Sequence, residues 1–120
     1  MNNQPSASKK LTIAESAAVT QAFWMGDHIG GHVIVPAAWT AANIGFKICD
    51  SETGTFVIAK TEAGVPIQIS AVLTSQSDSF KIPNELFPVS WVKLWSKSTT
   101  AATETDVNQA AARSLTVILK

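Results

Sequence analysis

The sequence predicts an all-β protein: a jelly-roll-like β-sandwich of about eight short antiparallel strands behind a flexible N-terminal arm. Three observations predict it. Residues alternate in short runs, Ile44, Phe46 and Ile48 with Gly45, Lys47 and Cys49, and Val65, Ile67 and Ile69 with Pro66, Gln68 and Ser70, which is the period of a half-buried strand. Clusters of Gly, Pro, Asn, Asp and Ser break the chain between those runs, as in a sandwich. No segment carries the helical period over the length of an ordinary helix.

Taken in order, residues 1–10 read as an arm, and residues 11–120 as one sandwich domain. Met1 to Ser8 is polar with one proline and holds too little apolar surface to order itself. Leu11 and Ile13 open the folded part. Thr20 to Met25, with Phe23 and Trp24, reads as a strand. Gly26, Gly30 and Gly31 break the chain around His28 and Ile29. Val33, Ile34 and Val35 then run up to Pro36, which cannot donate to a ladder and stops the strand. Ala37 to Asn43 suits a compact turn anchored by Trp39, whose indole is expected to plug one end of the sandwich.

Ile44 to Cys49 and Thr55 to Ala59 flank the turn Asp50-Ser51-Glu52-Thr53-Gly54, so a β-hairpin is expected, with Gly54 free to take positive φ. Val65, Ile67 and Ile69 alternate in a further strand, which Pro66 places at an edge or a strand start. Phe80 and Ile82 mark a short strand closed by Pro83. Asn84 to Pro88 reads as a turn with Leu86 and Phe87 as anchors. Ser90 to Ser96 is a strong strand. Lys97 to Asp106 is a Ser/Thr/Ala-rich loop, expected to be exposed. The last strand puts Leu115, Val117 and Leu119 on one face.

Composition narrows the function classes. A chain of 120 residues can bury a core without metals or disulfides. Charged residues make up 15%, well under the usual share of about 25%, and the net charge is +0. No dense basic block is present, so no nucleic-acid partner is expected. Cys49 is the single cysteine, which excludes an intrachain disulfide and reads as a small strand residue. No apolar run of about 20 residues could span a bilayer as a helix, and the N-terminus lacks a signal-peptide pattern, so a soluble protein made in a cytoplasm is expected, with no membrane partner.

No catalytic residue, cofactor site or metal site is expected. His28 and His32 are four apart, but Gly30 and Gly31 interrupt any regular geometry between them and no third ligand is close. The nucleophile-elbow, zinc-protease and phosphate-loop patterns are missing, and the acidic residues are scattered through loops with no spacing that pairs two of them. Trp91 and Trp95 are more informative. On one strand Val92 and Leu94 point one way while Trp91, Lys93 and Trp95 point the other. If Val92 and Leu94 are core, two indoles about 13 Å apart flank a lysine on the outside, at about 3.3 Å per residue. Exposed tryptophans suit protein interfaces and sugar stacking. The alternative is that both tryptophans are covered.

Four segments carry a resemblance: VIVPAAWTAANIGFKI followed by SETGTF, then IPNELFPVSWVKLWS, then VNQAAARSLTVILK. Together, over residues 31–120, they resemble a group of small proteins encoded in the structural-gene regions of tailed phages and prophages. The sequence departs from that pattern at Trp95, where the group more often has a basic residue. The resemblance implies a virion component with a β-sandwich fold, made in a bacterial host and located on the capsid surface. A capsid decoration (cement) protein fits the size and the neutral surface. Its partner would be the major capsid protein, with a small homo-oligomer around a capsid axis. The arm with Lys9, Lys10, Leu11 and Ile13 is the first candidate contact, and Trp91, Lys93 and Trp95 the second. Alternatives are a carbohydrate-binding sandwich on a head fibre or tail, and a head–tail or tail component.

Overall fold

A computed structural model describes residues 7–26, 28–71, 76–87, 91–98 and 105–120. Among them are nine strands: β1 (Ala7–Ile13), β2 (Phe23–Trp24), β3 (Gly31–Val35), β4 (Asn43–Cys49), β5 (Val57–Ile58), β6 (Gln68–Ile69), β7 (Asp78–Lys81), β8 (Trp91–Lys97) and β9 (Arg113–Leu119). One 3-10 turn spans Asn84–Leu86.

The first sheet runs β1-β9-β3-β7, and the second β2-β8-β4-β5, with β6 also on β4; all pairs are antiparallel. Outside the β4–β6 run, each successive strand lies in the opposite sheet. That connectivity is the double-sheet jelly roll. Alternation along each strand builds the core. Leu115, Val117 and Leu119 of β9 and Val33 and Val35 of β3 face Phe46 of β4 and Val92 and Leu94 of β8 in one buried cluster.

The sandwich begins earlier than the sequence indicates. β1 starts at Ala7, so residues 7–10 of the expected arm belong to a strand paired along its length with β9. The reason is alternation: Ser8, Lys10 and Thr12 are exposed while Leu11 and Ile13 are buried. Residues 1–6 lie outside the described residues. The Thr20 to Met25 strand is shorter than expected. Val19 lies opposite Trp95, but Phe23 lies opposite Val92, so Gln21 and Ala22 together face Lys93 in a one-residue bulge. Thr20 helps to break the ladder there, because its hydroxyl accepts the Leu94 N–H at 3.0 Å in place of a backbone carbonyl. The bulge turns Gln21 toward the other sheet, where Oε1 accepts the Thr12 N–H of edge strand β1 at 3.0 Å.

The expected hairpin forms as β4 and β5. Gly54 does not use positive φ; a Cβ there would lie 2.5 Å from Cys49 Sγ. Left-handed backbone appears instead at Ser16 and Gly64. Strands β5 and β6 occupy one lane beside β4, split by a seven-residue excursion from Lys60 to Pro66 that closes on itself through Lys60 and Pro66 and through Thr61 N–H to Val65 O at 2.7 Å. Val65 stands 57% exposed at that excursion, while Ile67 and Ile69 return to the core.

Trp39 is buried, as expected, with Nε1 donating to Ala42 O at 3.1 Å. Leu86 and Phe87 anchor the 3-10 turn against the core. The two stems of the loop after β8 are paired, through Ser98 N–H to Thr105 O and Val107 N–H to Ser96 O. Residues 99–104 within it lie outside the described residues.

Candidate interaction face

The outer face of the second sheet collects the aromatic and cationic side chains that the sequence spreads over four segments. The registers lay them out in rows. Trp24, Trp91 and Cys49 form the first row, across β2, β8 and β4. Lys93, Lys47 and Ile58 form the second, across β8, β4 and β5. Val19, Trp95, Gly45 and Gln68 form the third. Lys97 ends β8 between Asn43 and Asp106.

Val92 and Leu94 are fully buried, so Trp91, Lys93 and Trp95 do share the face away from the core. The two indoles meet different fates. Trp91 is half-buried and packs edge-on against Trp24, with ring centres 5.4 Å apart and planes at 63°. Trp24 is 38% exposed. Trp95 is only 2% exposed although it stands on the outer face. Its ring lies over Gly45, where a Cβ would come within 2.8 Å of it. Its Nε1 donates to Asp106 Oδ1 at 2.6 Å, and the Lys47 ammonium sits 4.6 Å from its ring centre. Asp106 arrives from a segment eleven residues downstream, a cover that strand periodicity alone does not reveal. The Trp95 side chain is therefore cover for the sheet, and the open part of the face is Trp24, Trp91, Lys93 and Lys47.

Lys93 sits over Phe56 at 4.6 Å. Lys97 is fully buried, donates to Gln68 Oε1 and lies 5.8 Å from the Trp95 ring. Trp24, Lys47, Phe56 and Lys97 were missing from the sequence candidates. Lys47 was legible in principle, because it alternates with Ile44, Phe46 and Ile48 along β4.

The other candidates lie on the first sheet, so the two sets do not form one site. Lys10 is exposed and Lys9 half-buried on edge strand β1. Leu11 and Ile13 are 2% and 0% exposed, and their side chains fill the core, so they hold β1 to the sandwich and present no surface to a partner. His32 is exposed on β3 opposite Lys81, and His28 lies in the preceding turn. Among the described residues no three His, Cys, Asp or Glu side chains group as metal ligands.

No family model matches the chain. No curated protein matches it. Among solved structures it is similar to the SPBc2 prophage-derived protein YomS. The TM-score is 0.53, with 14% sequence identity over 99% of this chain and 97% of that one. At that identity the shared property is the fold, the sandwich over nearly its whole length.

Proposed function

We propose that this chain is a structural virion protein of a tailed phage, a capsid decoration protein that binds the outside of the mature head. The observation that carries the proposal is the fold shared end to end with a prophage-derived protein, taken with the segments that resemble phage structural-region proteins. The face built from Trp24, Trp91, Lys93 and Lys47 supports it, since partly exposed tryptophans are favoured at protein interfaces. The indole pair supports a protein contact over a sugar contact, because rings at 63° do not make one flat platform. The mechanism is mass action. A protein that binds the assembled lattice, and not free subunits, stabilises the lattice by linkage.

Purified protein mixed with isolated heads tests the reading. Co-sedimentation with expanded heads, saturating at a fixed ratio to shell subunits, and a higher temperature for head disruption are the expected results. Failure to sediment with either expanded or unexpanded heads contradicts it.

A further inference from the structure

Lys47 and Lys93 stand directly opposite each other on β4 and β8. Like charges in that position destabilise a sheet. Neither lysine forms an ion pair with a carboxylate among the described residues; each ammonium rests on an aromatic ring instead. The rings lie in opposite directions along the strands. Trp95 is two residues beyond Lys93 toward the end of β8, whereas Phe56 precedes β5 beside the Cys49 end of β4. The two cationic heads are thereby splayed along the strand axis. The nearby Asp106 is committed to the Trp95 indole. With a net charge of +0, this pairing is a local concentration and not a general basicity of the chain.

We propose that this face binds an acidic segment of the shell protein in extended conformation, laid along β4 with two carboxylates four residues apart. Side chains four apart in an extended segment project to one side about 13 Å apart, which matches the four-residue step from the Gly45–Trp95 row to the Cys49–Trp91 row. Carboxylates would relieve the Lys47–Lys93 repulsion, and Trp24 and Trp91 would cover apolar residues at one end of the segment. The inference rests on the virion reading for the source of the segment, and on the sheet's own side chains for its chemistry.

The test titrates the isotope-labelled full chain with the peptide acetyl-Glu-Thr-Val-Thr-Glu-Thr-Val-amide, whose glutamates and valines share one side of an extended chain, followed by NMR, with its Gln-for-Glu counterpart and a hyaluronate tetrasaccharide as comparisons. The acidic peptide should shift the Trp24 and Trp91 indole signals and the amides of Lys47 and Lys93. The Gln peptide and K47Q/K93Q should each weaken this by about tenfold, with the variant's remaining spectrum unchanged. Shifts from the tetrasaccharide alone, shifts elsewhere, or equal shifts from both peptides would overturn the proposal. A concentration-dependent dimer in sedimentation that K47E/K93E abolishes would overturn it too, by making a second copy the occupant. Head binding that survives K47Q/K93Q contradicts this inference and keeps the virion reading. Peptide binding without head binding does the reverse.

Discussion

Gly45 and Trp95 show how one residue decides what its neighbour can be. They are directly paired across β4 and β8, and the indole lies where a side chain at 45 would stand. A methyl group there would press on both the ring and the Lys97 stem. Gly45→Ala should destabilise the fold by about 1–3 kcal/mol in urea unfolding and alter the tryptophan fluorescence, because the ring must move. Gly64 is the opposite case. Its φ is +82° and nothing lies near an added Cβ, so Gly64→Ala should cost only the backbone term, about 1–2 kcal/mol. Gln109 is the third such position. Buried at 1% exposure, its Oε1 accepts Thr40 N–H at 2.8 Å and Arg113 Nε–H at 3.2 Å, and its Nε2 donates to Ser96 Oγ at 2.9 Å. Gln109→Ala strands buried polar groups at one end of the sandwich and should cost about 2–3 kcal/mol by the same measurement. Its role was invisible in sequence, since Thr40 is 69 residues away. The burial of Trp95 was hidden for the same reason: alternation gives the side of a strand, not what later folds over it.

At the scale of elements, legibility followed locality. The β4–β5 hairpin could be read because its turn lies between its strands in sequence. The apolar face of β9 could be read because Leu115, Val117 and Leu119 keep strict alternation. The β5–β6 lane could not, because Val65 continues the alternation of Ile67 and Ile69 while the backbone has left the sheet. The bulge in front of β2 could not either, since it depends on a hydroxyl of Thr20 replacing a carbonyl in a ladder with distant Leu94. These differences predict unequal local stability. Amides of β8 and β9, central in their sheets, should exchange with solvent only through global opening, whereas β5 and β6, short and at an edge, should exchange through local opening. Native-state hydrogen exchange reads this directly, and uniform protection across β4, β5 and β6 would contradict it.

For the whole molecule, fold and function stand at different distances from the sequence. The jelly roll was foreseeable from pattern alone and is shared with a prophage-derived protein at 14% identity. The outer face was half foreseeable: the alternation of β8 and β4 placed Trp91, Lys93 and Lys47 away from the core, while Trp24 and Phe56 joined them only through pairing. If the half-buried Lys47 and Lys93 of this face meet carboxylates on a shell, head binding should weaken as salt rises from 50 to 500 mM, because charge attraction at a surface is screened within about 10 Å at 0.1 M salt. A salt-independent interaction would point instead to the apolar indoles. The central claim, that this sandwich decorates a capsid, is tested most directly by cryo-electron microscopy of the virion whose genome encodes it. The account predicts density for the sandwich repeated over the outside of the head, with the Trp24–Trp91 side of the second sheet against the shell. Density confined to the tail or a single vertex, or none on the particle, would contradict it.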